Sequence, residues 1–171
     1  PGVGLTTLFT AHLKSQLGTP ARERGEALPI ASPSEYAEAI LRSLVQRSAE
    51  ALHLKRLVEH EMLAEPANVL VCGDFNDTPD SVPLRVLLSG EPQRRLVDLV
   101  RQANLAAHQD FTTLHDGRKN RIDYVLASPT LASRMRTTRI LNERLRDHGP
   151  FSKSAPLEPD SDHAPVVATF D

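Results

Sequence analysis

Apolar and polar positions along this chain repeat with two different periods, and the change from one to the other marks its elements. Leu5 to Leu13 (LTTLFTAHL) carries Thr6, Thr7, Phe9 and Thr10, residues suited to a pleated surface, and predicts a strand. Between Gly18 and Ser32, Pro20, Gly25, Pro29 and the mixed-charge RERGE predict a mobile surface loop, long enough to touch a substrate. A helix start follows: Ser32 is placed to cap, Pro33 suits the first helical position and Glu35 completes a capping box. Ala37, Ile40, Leu41, Leu44, Val45, Leu52 and Val58 then recur at helical spacing and predict one apolar face of a long helix, packed on a sheet and ending before Pro66. Immediately after it, Val69-Leu70-Val71-Cys72 has the length and β-branched content of a strand buried on both faces, stopped at Gly73.

The later pattern is shorter in period. Leu84, Leu87 and Leu88 predict a short helix closed by Gly90, and the segment Leu96 to Ala103 is most simply helical. Phe111 to Thr113 favours strand, His115-Asp116-Gly117 a turn, and Arg121 to Ala127 a strand. A further strand is expected at Arg139 to Leu141, a loop over His148 to Ser161, and a last strand at Val166 to Phe170. Helices feeding directly into buried strands are the signature of a layered α/β fold. With 171 residues and no internal repeat, low-complexity tract or linker, a single domain over residues 1–171 is expected.

Charge narrows the partners. The net charge of −2 supplies no global field toward nucleic acid or an anionic membrane, so polyanion binding has to be local. Arg134, Arg136, Arg139, Arg144 and Arg146 are interrupted by Glu143 and Asp147 and lack nearby aromatics, which reads as a solvated face. The one cysteine, Cys72, excludes an internal disulfide and sits in an apolar run as a small buried thiol with no chemical role. No apolar stretch is long enough to span a bilayer as a helix. The chain opens Pro-Gly-Val-Gly without a methionine, which leaves the compartment open.

Candidate chemistry lies at the strand ends. Asp74, Asn76 and Asp77 follow the Val69 strand, placing hard oxygen ligands where sheets of this class bind ligands, although Asn-Asp-Thr-Pro is also ordinary turn chemistry. Asp123 stands among Ile122, Tyr124, Val125 and Leu126, and an acid there requires a cation, a metal or a histidine as partner. Asp162 and His163 precede the last strand, and His12 closes the first.

The strings TAHLKS, CGDFND, RIDYVLAS and SDHAPVVATF together resemble the endonuclease/exonuclease/phosphatase superfamily, the fold of deoxyribonuclease I, abasic-site endonucleases, sphingomyelinases and inositol-polyphosphate phosphatases. The resemblance implies a divalent-metal-dependent hydrolase of phosphate esters, phosphodiesterase- or nuclease-like, using Mg2+ or Mn2+. It further implies that Asp74 and Asn76 orient the attacking water, hold the phosphate or bind a metal, and that Asp162 is a metal ligand. Asp123 would fix the tautomer of His163, itself the base or phosphate stabiliser, while His12 would be an acid toward the leaving oxygen and Lys14 a phosphate contact. The implied substrate is a phosphate ester of nucleic acid, lipid or inositol.

The same resemblance implies an αββα sandwich of two similar halves, of which this chain carries the carboxyl-terminal one. The family's early asparagine and metal-binding glutamate belong to the amino-terminal half and have no counterpart in these residues. The chain alone is therefore expected to bind metal weakly and to need the missing half for full turnover, and an uncovered sheet face is expected to be apolar. The alternative is a non-catalytic relative that binds phosphate or a partner, against which the joint presence of His12, Asp74, Asn76, Asp123, Asp162 and His163 counts.

Overall fold

The computed structural model of the chain describes residues 3–18, 22–23, 26–27, 32–63, 67–147 and 161–171. Its framework is a four-stranded sheet built from β1 (Thr7–Thr10), β4 (Val69–Asp74), β8 (Asp123–Ala127) and β5 (Val97–Asp98), in the order β1-β4-β8-β5. β1 runs parallel to β4 and pairs Thr7 with Val69 through Thr10 with Cys72. β8 runs antiparallel to β4, pairing Leu70 with Ala127 through Asp74 with Asp123, and β5 closes the far side antiparallel to β8. Within the expected 18–32 loop, β2 (Arg22–Glu23) and β3 (Glu26–Ala27) form a small antiparallel pair.

The long helix α1 (Pro33–Glu61) begins as its sequence dictates, with the Ser32 side chain accepting the Glu35 N–H and Pro33 in the first turn. Its packed face differs from the expected one. Ala39, Ser43, Arg47, Ala51, Leu54, Lys55 and Val58 point inward, whereas Ala37, Ile40, Leu41, Val45 and Leu52 are exposed and Leu44 is half-buried. The reason is that each inner polar group finds a partner: the Ser43 hydroxyl donates to the Leu17 carbonyl at 2.5 Å, the Lys55 ammonium to the Ser89 carbonyl at 2.7 Å, and Arg47 to Asp77. Ala51, Leu54, Val58 and Met62 then pack against Val69, Val71, Phe75, Tyr124 and Leu126. Pro66 lies outside the described residues.

The two faces of β4 are not equal. Val69 and Val71 are 0% exposed beneath α1, while Leu70 and Cys72 on the opposite face are only half-buried. That second face is covered in part, by α4 (Pro129–Ala132) and by the antiparallel pair β9 (Met135–Ile140) and β10 (Val166–Phe170), through Leu131, Met135, Val166, Ala168 and Phe170. Leu8, which shares the face through its register with Leu70, is 57% exposed. Burial also holds the Cys72 thiol above its usual range.

Smaller elements correct local expectations. Val97 and Asp98 are strand, because the Asp98 carboxylate caps the following helix by accepting the N–H groups of Val100 and Arg101; α3 is confined to Leu99–Ala103. α2 is Val82–Leu87. β6 (Thr113–His115) and β7 (Arg118–Asn120) form a hairpin whose turn, Asp116-Gly117, has positive φ at both residues, so Phe111 and Thr112 precede the strand and His115 belongs to it. Arg134 and Arg136 reach Asp171 at the end of β10. The expected 148–161 loop lies outside the described residues except for Ser161, and no helix among the described residues is long and apolar enough to cross a membrane.

Candidate active site

The carboxyl end of β4 and the amino end of β8 form one rim of the sheet, and the polar strand ends meet there. Beyond Thr10 the first strand keeps its alignment with β4: Ala11 N–H donates to the Cys72 carbonyl at 3.0 Å and Leu13 N–H to the Asp74 carbonyl at 2.9 Å. This close approach requires Gly73, whose φ is 142° and whose absent Cβ would sit 1.9 Å from the Ala11 carbonyl oxygen. His12 is thereby carried to the rim, 76% exposed, with Nε2 3.5 Å from Asp74 Oδ2.

Asp74 is oriented by the turn that follows. Its Oδ1 accepts the Asn76 N–H at 2.7 Å and its Oδ2 the Asn76 side-chain amide at 3.1 Å. The same Nδ2 donates to the Leu13 carbonyl at 2.9 Å, so Asn76 ties the ends of β1 and β4 together. Asn76 holds φ at 53°, a left-handed conformation that asparagine tolerates. Between these polar residues Phe75 turns inward and stacks on Tyr124, and Asp77 is buried in an ion pair with Arg47, Nε to Oδ2 2.7 Å. The Tyr124 hydroxyl, held well above the usual phenol range by burial, donates to the Asp77 and Arg121 carbonyls. Arg121 in turn pairs with buried Asp98 at 2.9 Å.

Asp123 faces Asp74 directly across the β4–β8 ladder. Its N–H and that of Ile122 both donate to the hydroxyl of the fully buried Thr112. His163 arrives from the other side, positioned by a bridge to Thr113 and by the Ala164 N–H donating to the Thr112 carbonyl. Its Nδ1 lies 2.9 Å from Asp123 Oδ2. Burial pushes the Asp123 carboxyl up, opposed by hydrogen bonding with Thr112 and by the His163 charge, while the neighbouring Asp74 charge adds to the rise. The oxygens of Asp74 and Asp123 and a ring nitrogen of His163 lie within 4.8 Å of one another.

The structure thus gathers Asp74, Asn76, Asp123, His163 and His12 at one place. Asp162 is exposed and stands outside the three-residue cluster. The Lys14 ammonium turns back to the Ser15 carbonyl at 3.5 Å, and the Lys14 backbone N–H donates to the Glu50 carboxylate at 2.7 Å. Thr112 and Arg47 hold the site without having stood out in the sequence: a threonine among strand formers and an arginine on a helix carry no local signal. Open grooves flank the rim, one of about 340 Å³ along Gly73, Asp123 and His163, another of about 590 Å³ running from His12 along α1.

A cation suits this arrangement. Two carboxylates in direct register repel each other unless a proton or a cation lies between them, and their oxygens are the hard ligands that Mg2+ or Mn2+ prefers.

The chain belongs to the endonuclease/exonuclease/phosphatase family, whose model matches residues 14–163. Its fold is similar to that of a Neisseria 3′ phosphatase solved with a product DNA hairpin (22% identity, TM-score 0.56, 96% of this chain and 60% of that one). It is similar as well to a 3′-5′ exonuclease from Neisseria meningitidis (23%, TM-score 0.56, 96% and 60%) and to an AP endonuclease from Archaeoglobus fulgidus (19%, TM-score 0.53, 96% and 61%). The chain spans about 60% of the length of these structures, so the α/β layers described above are part of the deoxyribonuclease I-like sandwich. No curated protein matches the chain significantly.

Proposed function

We propose that this chain carries the acid–base and metal-holding rim of a divalent-metal-dependent phosphate-ester hydrolase, most simply a phosphodiesterase of the nuclease-like kind. The observation that carries the reading is the Asp123–His163 contact of 2.9 Å beside Asp74, whose carboxylate faces Asp123 in register. Asp123 accepts from Nδ1 and so fixes the tautomer in which Nε2 is the free basic nitrogen. From there His163 takes the proton of an attacking water, and the facing carboxylate stabilises the imidazolium that results. His12, on the opposite side of Asp74 and open to solvent, returns a proton to the departing oxygen. Asn76, its amide anchored on Leu13 and Asp74, keeps the Asp74 carboxylate aimed at the rim. Asp74 would hold the cation together with Asp123, which faces it across the ladder, with Asp162 joining from the exposed side and Lys14 meeting the phosphate. A bound Mg2+ or Mn2+ would offset negative charge developing on the phosphoryl oxygens.

Full turnover is proposed to need sequence beyond these residues, since the rim offers few ligands and the solved relatives are longer. Hydrolysis of bis(p-nitrophenyl) phosphate by the 171-residue chain, with Mn2+ and with EDTA, tests the reading. Slow hydrolysis that EDTA abolishes and that His163→Ala lowers by about 100-fold or more is expected. Hydrolysis indifferent to EDTA, or to His163→Ala, would overturn it.

A further inference from the structure

The β6–β7 hairpin stands beside the rim and carries a cation that the catalytic reading does not use. In an antiparallel ladder, directly paired residues project to the same side and alternate residues share a face. Thr113 pairs with Asn120, His115 pairs with Arg118, and Thr113 also bridges to His163. Arg118, His115, Asn120, Thr113 and His163 consequently share one face. Leu114 and Lys119 occupy the other, where the Lys119 ammonium lies 4.5 Å over the buried Phe111 ring. From Thr113 to His115 the strand advances about 7 Å, a distance an arginine side chain can bridge back over.

Arg118 is exposed, and its side chain makes no ion pair or hydrogen bond among the described residues. The arm that presents it is nevertheless fixed. The two Asp147 oxygens accept the Asp116 and Gly117 N–H groups, each at 2.7 Å, and pin the turn from outside, while Lys119 on Phe111 anchors its base. Of the acids beside Arg118, Asp116 faces His115, with Nε2 to Oδ2 at 3.9 Å, and Asp147 gives both its oxygens to the turn N–H groups. An arginine placed by its register on the same face as His163, one ladder step further out, lies within side-chain reach of where a second anionic group of a substrate bound at the rim would fall.

We infer that Arg118 binds a second phosphate of the substrate, adjacent to the scissile one, so that the favoured substrates are phosphate esters bearing at least two phosphates. This deepens the hydrolase reading and rests on it. An oligonucleotide and a polyphosphorylated inositol both offer that chemistry. The test is equilibrium binding in EDTA, so that turnover plays no part. The probes are a fluorescein-labelled single-stranded oligonucleotide read by anisotropy, inositol hexakisphosphate as its competitor and by calorimetry, and inorganic phosphate as the single-phosphate reference.

Arg118→Gln is expected to weaken binding of a multi-phosphate probe about tenfold and to lower its salt slope by about one, with Arg118→Lys recovering part of the loss and inorganic phosphate unaffected. Loss on the oligonucleotide alone assigns a nucleic-acid substrate, and loss on inositol hexakisphosphate alone a small polyphosphate. Unchanged affinity for both, equal loss on inorganic phosphate, or no binding of either by the unaltered chain overturns the inference. Absence of metal-dependent hydrolysis, by contrast, counts against the catalytic reading and leaves the binding result to judge Arg118.

Discussion

Replacing Arg47 by methionine tests whether the candidate site is held from beneath by a buried ion pair. Arg47 and Asp77 are 5% and 9% exposed at their side chains, with Nε and Oδ2 2.7 Å apart. Arg47 Nη1 also donates to the Lys14 carbonyl at 3.0 Å and the Ser15 carbonyl at 3.3 Å, and Asp77 Oδ1 accepts from the Gln16 amide at 3.2 Å and the Thr78 N–H at 3.0 Å. Arg47→Met leaves a dry carboxylate with two neutral donors, and takes the guanidinium donor from the Lys14 and Ser15 carbonyls, the second of which keeps the Lys14 ammonium. Breaking a pair of this kind costs about 3–5 kcal/mol, a large share of the roughly 5–15 kcal/mol that stabilises an ordinary domain. Removing both charges together avoids the stranded carboxylate, so Arg47→Met/Asp77→Leu is expected to recover at least about 2 kcal/mol relative to the sum of the singles. Urea denaturation followed by circular dichroism measures all three. Single substitutions costing under about 1 kcal/mol, or a double that equals the sum of its singles, would refute the reasoning.

Two further outcomes follow from the rim itself. Gly73→Ala meets both a φ of 142° and the Ala11 carbonyl, and is expected to cost about 2–4 kcal/mol by thermal melting while displacing the His12 segment; a change in Tm under 2 °C would contradict the close approach of β1 and β4. Asp123 titrates higher in the folded chain than in the unfolded one, chiefly through burial, so stability present below the ordinary carboxylate range is lost as pH rises through its raised folded value. Without metal, Asp123→Asn is therefore expected to melt at a higher temperature than the unaltered chain above that window and to flatten the Tm–pH curve within it; identical curves would count against the raised carboxyl.

The site was more legible in the sequence than the packing that supports it. GDFN, IDY and the terminal SDH are readable because acids, amides and imidazoles at the ends of apolar strands stand out from the pattern around them, whatever packs beneath. The inner face of α1 was not readable. Ser43, Arg47 and Lys55 look like solvent positions until Leu17, Asp77 and Ser89, all distant in the chain, are seen to receive them. Ile40, Leu41 and Val45 look like core for the converse reason. The start of α3 is hidden in the sequence because Asp98 acts at once as a strand residue, a helix cap and the partner of Arg121. Asp123, an acid in an apolar strand, has the partner such a position requires in His163 Nδ1, 2.9 Å away.

Asp74 and Asp123, 49 positions apart, are proposed to form one cation-holding pair by virtue of their register. Calorimetric titration of the 171-residue chain with Mn2+ measures this without reference to turnover. One bound ion, weakened at least tenfold by Asp74→Asn and by Asp123→Asn separately, is the predicted result. Failure to bind Mn2+, or binding that both substitutions leave intact, would contradict it.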